Sequence, residues 1–188
     1  MFIEKILVAT DGSDLAVRAA QVAAVLARSG GNRIVAFSVA QPHFSLNPDA
    51  LPQFDVEAEL RRRLDAAREH VDTVARIARR YKLGCETFTR ISTTPGLEIV
   101  RAAEEHGCDL IVMGAHGPAD ANTLYTGSVA RQVLAWSPIP VLVLRDPREA
   151  ARPGLGEPPG PDTEAHGVGS PGGTPAAPSS APDGDRDA

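Results

Sequence analysis

The chain has 188 residues, 43% of them hydrophobic and 23% charged, with a formal net charge of -5. The length suits one domain, or one domain with an appendage, and the composition is that of an ordinary globular protein. The acidic balance argues against unaided nucleic-acid binding, and no run approaches the ~18 consecutive apolar residues of a membrane span, so neither nucleic acid nor membrane is an expected partner. The opening Met1-Phe2-Ile3-Glu4-Lys5 lacks a basic stretch ahead of an apolar run and moves straight into a strand pattern, so a cytoplasmic protein is expected.

Ile3 to Ala9 is a nearly continuous apolar run, the pattern of a strand covered on both faces. Ser13 to Arg28 is Ala-rich and helical, with Ser13 as candidate N-cap and Gly30-Gly31 as terminator. Arg33 to Val39 is a second strand, and Gln41 to Pro52, with three prolines, is a loop. A long helix follows over 53–81, its stripe Leu60, Leu64, Ala67, Val71, Val74, Ala78 and Tyr81 stepping by four and three. Arg61-Arg62-Arg63 and Arg79-Arg80 flank that stripe and are expected on a solvated face, as is His70. Cys85 to Ile91 alternates as a third strand. Pro95 to His106 is a helix with proline in its first turn, Asp109 to Met113 a fourth strand, Gly127 to Trp136 a helix and Pro140 to Leu144 a fifth strand.

The alternation βα-βα-βα-βα-β implies a parallel sheet with helices on both faces. Residues 1–146 are the expected domain. Residues 147–188 hold nine of the 16 prolines and eight of the 17 glycines, with almost no large apolar residue after Leu155, and are expected to be a disordered acidic tail. Cys85 and Cys108 show no metal-binding spacing and are expected as small buried hydrophobes.

Ligands of doubly wound sheets lie beyond the carboxyl ends of the strands, where strand order reverses. Two clusters occupy such ends: Ala9-Thr10-Asp11-Gly12-Ser13 after the first strand, and Gly114 to Val129 after the fourth. Bare backbone at Gly114 and Gly117 would admit a ligand or a tight turn. Gly127-Ser128-Val129 would offer free N–H groups and a hydroxyl at a helix N-terminus, which carries partial positive charge. Asp11 could accept from ribose hydroxyls or reach a Mg²⁺ shell; simple turn chemistry in "TDGSD" is the alternative. His116, on the loop, is expected to be exposed, with a phosphate contact as the alternative. GxxxxGK(S/T) is absent, and no GxGxxG follows the first strand. "SGGN" at 29–32 follows the first helix, not the first strand, and is a C-cap turn. A phospho-acceptor aspartate after the third strand is also missing, since Ser92-Thr93-Thr94 stands there.

Gly114-x2-Gly117-x9-Gly127-Ser128 resembles the G-2x-G-9x-G(S/T) signature of the nucleotide-binding branch of the universal stress protein family. "KILVATDGS", "LIVMGAHG" and "GSVARQVLAWSPIPVLVLR" are similar to the same family, in family order, so the resemblance covers residues 1 to about 146. It implies a five-stranded parallel sheet of order 3-2-1-4-5 with ATP in the crevice between strands one and four. Carried over by position, Ala9 and Val39 flank adenine, Val39 through its backbone. Asp11 sits near ribose and phosphates, with Thr10 before it as a further nucleotide-binding position, Met113 and Gly114 pack by ribose and adenine, and Gly117, Gly127, Ser128 and Val129 hold the phosphates. A homodimer through the last strand, Val141-Leu142-Val143-Leu144, is also implied, and an apolar edge strand seeks a partner on physical grounds too.

One departure matters: the insert "PADANTLYT" contains no Lys or Arg. Phosphate would depend on backbone dipoles, His116, Arg131 and a metal such as Mg²⁺ held by Asp11, so AMP and ADP stay open beside ATP. No catalytic constellation is marked. The expected function is a nucleotide-dependent regulatory or protective stress protein; the alternatives are a slow Mg-dependent ATPase or transferase and a nucleotide-free dimeric interaction protein.

Overall fold

The structure, a computed structural model, describes residues 3–42, 55–116 and 127–146, all within the compact unit Met1–Arg152. The expected tail at 147–188, Gly117 and the insert 118–126 lie outside the described residues. The elements are β1 (Lys5–Ala9), α1 (Asp14–Gly30), β2 (Arg33–Ala40), α2 (Val56–Arg80), β3 (Cys85–Ile91), α3 (Pro95–Glu105), β4 (Leu110–Gly114), α4 (Ser128–Trp136) and β5 (Val141–Leu144). The five strands form one parallel sheet of order β3-β2-β1-β4-β5. Strands β1 and β4 are therefore neighbours, in register Leu7↔Ile111 and Val8↔Val112.

Alternation along the central strands feeds two cores. Ile6, Val8, Ile34 and Ala36 point to one face and pack under α1 and α2; Leu7, Ala9, Val35, Phe37, Ile111 and Met113 point to the other, under α3 and α4. The first core depends on small residues. Helix α1 buries Ala16, Ala19, Ala20, Ala23, Ala24 and Ala27, which lets its backbone approach the sheet closely.

Local chemistry fixes where the helices begin. Ser13 is the N-cap of α1, its hydroxyl accepting from the Ala16 N–H at 3.2 Å. Gly31, at φ +71°, closes that helix in the left-handed conformation. The helix expected from position 53 starts at Val56, because the Asp55 carboxylate accepts from the Ala58 N–H at 3.0 Å and caps it there. Glu57 and Glu59 in its first turn, with Arg79 and Arg80 in its last, complement the helix dipole. Among the described residues, no helix is long and apolar enough to cross a membrane.

Candidate functional site

A cavity of about 450 Å³ opens at the carboxyl edge of β1, β2 and β4. Ala9, Phe37, Val39 and Met113 form its floor; Pro95 and Ile99 of α3 and residues 127–130 at the start of α4 close one side. Ala9, Thr10, Asp11, Val39, Met113, Gly114, His116, Gly127, Ser128 and Val129, which the sequence nominates separately, all line it. Gly117 lies outside the described residues.

The turn after β1 is tied by its own side chains. The Thr10 N–H donates to the Phe37 carbonyl at 2.9 Å, the last tie between β1 and β2. Gly12 N–H donates to Thr10 Oγ1 at 3.2 Å, and Ser13 N–H donates to Asp11 Oδ1 at 3.0 Å. That bond engages one Asp11 oxygen, so Oδ2 is the acceptor a ligand would meet. Gly12 has φ +78°, a conformation L side chains rarely adopt.

One step further along β2, Val39 presents backbone to the cavity. Carbonyl and N–H groups alternate sides along a strand. Since the Phe37 carbonyl faces β1 and the Ala40 carbonyl accepts from Ser92 on the β3 side, the Val39 N–H and C=O face the β1 side. Strand β1 has already ended there, its final pair being Ala9↔Phe37. The Val39 peptide edge therefore points past the end of β1 into the space the cavity occupies.

The start of α4 is built differently. Gly127 is its N-cap and makes no side-chain cap bond. Its N–H donates to the Ala115 carbonyl at 2.7 Å, and Ala115 N–H donates to the Leu144 carbonyl at 2.7 Å, so the helix start is pinned to the ends of β4 and β5. The first intrahelical donor is the Arg131 N–H, to the Gly127 carbonyl at 3.1 Å. The N–H groups of Ser128, Val129 and Ala130 precede it, at the positive end of the helix and on the cavity wall.

Two sequence expectations are corrected. His116, expected to be exposed on its loop, is 7% exposed, because the Ala115 ties draw the chain inward at the end of β4. His70, expected on a solvated face, is half-buried and lines the cavity from α2, its Nδ1 3.5 Å from the Ser38 hydroxyl. Arg63 is exposed, as expected with its neighbours, and lines the cavity as well; its Nε donates to Glu59 Oε1 at 2.7 Å, which orients the guanidinium. The sequence shows the spacing of this wall but not what it faces. Arg63, Ala66, Ala67 and His70 are spaced i, i+3, i+4, i+7, a stripe that shares Ala67 with the apolar one and has two alanines between two polar ends.

Gly114 also has a different explanation from the one its spacing suggests. A methyl group there would lie 3.1 Å from Leu15 Cγ and 3.5 Å from the Ala16 nitrogen. Its bareness serves the close approach of α1 to β4 as well as the cavity. Met113 is both core, at 5% exposed, and cavity floor. Among the described residues, no group of three His, Cys, Asp or Glu side chains is placed to hold a metal ion.

Comparison with known proteins agrees with this architecture. A model of the universal stress protein family matches residues 3–145. A universal stress protein of Thermus aquaticus is 35% identical over 143 residues, covering 74% of this chain and 97% of the relative. One from Methanocaldococcus jannaschii is 30% identical over 146 residues, covering 78% and 84%. Among solved structures, the universal stress protein from Archaeoglobus fulgidus in complex with dAMP is similar at a TM-score of 0.53 and 25% identity, covering 76% of this chain and 98% of that one.

Proposed function

The chain belongs to the universal stress protein family, and on that footing we propose that its cavity holds an adenine nucleotide and that the protein is a nucleotide-dependent regulatory or protective module of the cytoplasm. ATP is the first ligand to consider, with AMP and ADP beside it. The observation that carries the reading is the convergence of three complementary groups on one cavity: the Val39 peptide edge, the Asp11 carboxylate and the start of α4 without a side-chain cap. A peptide edge matches the donor and acceptor pair on adenine. A carboxylate oxygen accepts from ribose hydroxyls, and unengaged N–H groups at a helix start suit phosphate. The dAMP complex of the Archaeoglobus fulgidus relative supports the same ligand class.

In this arrangement Ala9 and Met113 enclose the base, Thr10 and Gly114 border the sugar, and Gly117, Gly127, Ser128 and Val129 surround the phosphates with His116 at their margin. Mg²⁺ fits as a partner of a bound triphosphate. Among the described residues the cavity supplies one carboxylate, Asp11, and a magnesium ion keeps several waters and takes its other ligands from phosphate oxygens. At the far edge of the sheet, β5 has one strand neighbour, β4, and Val141 to Leu144 are each only partly buried. A second copy pairing along that edge would cover them.

Calorimetric titration of the full chain with ATP, AMP and GTP, with and without Mg²⁺, tests the reading. Micromolar binding of ATP or AMP, with GTP at least tenfold weaker, is expected. Heats indistinguishable from dilution for every adenine nucleotide would refute it.

A further inference from the structure

Helix α2 reaches the cavity through His70, at a point where the ring touches another element. A methyl group on Gly12 would lie 2.3 Å from the His70 Cδ2 and 2.4 Å from Nε2. The imidazole edge thus rests against the bare Cα of Gly12, the residue after Asp11. On its other side, Nδ1 stands 3.5 Å from the hydroxyl of Ser38, which is 2% exposed. The ring is wedged between the end of β2 and the turn after β1.

That turn is short and holds itself by two bonds, Gly12 N–H to Thr10 Oγ1 and Ser13 N–H to Asp11 Oδ1. Thr10 is tied to Phe37 at one end and Ser13 enters α1 at the other, and His70 packs against the turn from α2. Gly12 pays for this contact twice, by its positive φ and by having no side chain where the ring sits.

We infer that His70 is a positioning residue for nucleotide binding: its imidazole, wedged between Gly12 and Ser38, holds the turn that aims Asp11 Oδ2 at the ribose. The inference rests on the adenine-nucleotide reading of the cavity and adds a residue that acts through Asp11. Loss of the ring leaves the turn intact in its bonds but free to tilt into the vacated space. A displacement of about 1 Å is enough to cost a hydrogen bond to a ribose hydroxyl.

The test compares ATP with 2′,3′-dideoxy-ATP, which lacks the hydroxyls Asp11 would accept from. Affinities are measured for the full chain and for His70→Ala, His70→Asn, Asp11→Ala and the double variant His70→Ala/Asp11→Ala. His70→Ala should weaken ATP about tenfold while changing dideoxy-ATP less than twofold. The double variant should bind ATP no more weakly than Asp11→Ala alone, since both remove one contact. His70→Asn, which keeps a polar group near Ser38 and fills part of the space, should recover part of the loss and guards against a folding defect in the alanine variant. Equal weakening of both ligands by His70→Ala, or no weakening of either, would overturn the inference alone. Failure of the wild-type chain to bind ATP, or an Asp11→Ala variant that treats the two ligands as wild type does, would overturn the reading of the cavity and this inference with it.

Discussion

Two helices begin at the same cavity, and they begin in opposite ways. At α1, the Ser13 hydroxyl caps the Ala16 N–H, Asp11 ties Ser13, and His70 braces the turn from outside. At α4, Gly127 brings no side chain, and among the described residues nothing caps the donors of the first turn, which lines the cavity. A cap adds stability by satisfying orphan donors; leaving it out keeps those donors for something else. The first helix start is built to stay in place and present one carboxylate. The second gives up a cap that an ordinary Ser, Asn or Asp would supply, which is the arrangement a phosphate-binding end requires.

Giving α4 the cap it lacks should produce the largest effect. Gly127 has φ -58°, a backbone conformation that an L residue adopts without strain. Gly127→Asp should raise the stability of the nucleotide-free protein by about 0.5 kcal/mol through capping and the helix dipole. It should also weaken ATP about 100-fold, roughly 2.7 kcal/mol, because the carboxylate occupies the donors and repels phosphate. Urea unfolding and calorimetry on the same preparation check both signs. Next in size is Gly12→Ala at the other helix start. Both the positive φ and the ring of His70 oppose a methyl group, so a loss of about 2 kcal/mol in urea-unfolding free energy is expected. Removing the α1 cap by Ser13→Ala should cost about 1 kcal/mol of stability while leaving ATP affinity within twofold. An equal loss of affinity would mean that the two helix starts do not divide their work as described.

The thiols supply the smallest effect and a control away from both helix starts. Burial pushes Cys85 and Cys108 up to about 11, and neither lines the cavity. In the unfolded chain these thiols ionise first, so between about pH 9 and 11 the folded state holds more protons and stability falls as pH rises. Below pH 9 this contribution is fully present. Replacing both by serine should flatten that part of the stability–pH curve without altering nucleotide affinity at pH 7.

Much of this was legible in the sequence. The strand and helix order, the Ser13 cap and the glycine stop at 31 follow from periodicity and turn chemistry, which act over a few residues; the meeting of the two strand-end clusters depends on β1 and β4 being neighbours. The sheet order came from the family resemblance. What the sequence did not reveal are relations between elements. His70 and Arg63 sit on a surface stripe of α2, and nothing local says that the stripe faces the ends of β1 and β2. His116 looks like a loop residue until the bond from the Ala115 N–H to Leu144 pulls it inward. Gly114 carries a packing constraint against Leu15 that its glycine spacing conceals.

The most direct test of the account is a proline at the first position of α4. Proline is tolerated there, since its fixed φ suits the first helical turn, and it deletes one backbone donor. Calorimetry with AMP and with adenosine should be run on Ser128→Pro, with Ser128→Ala as the control that keeps the N–H and removes only the hydroxyl. If the uncapped start of α4 holds the phosphate, Ser128→Pro weakens AMP at least tenfold and leaves adenosine within twofold, while Ser128→Ala has the smaller effect. AMP binding unchanged by Ser128→Pro would contradict the account.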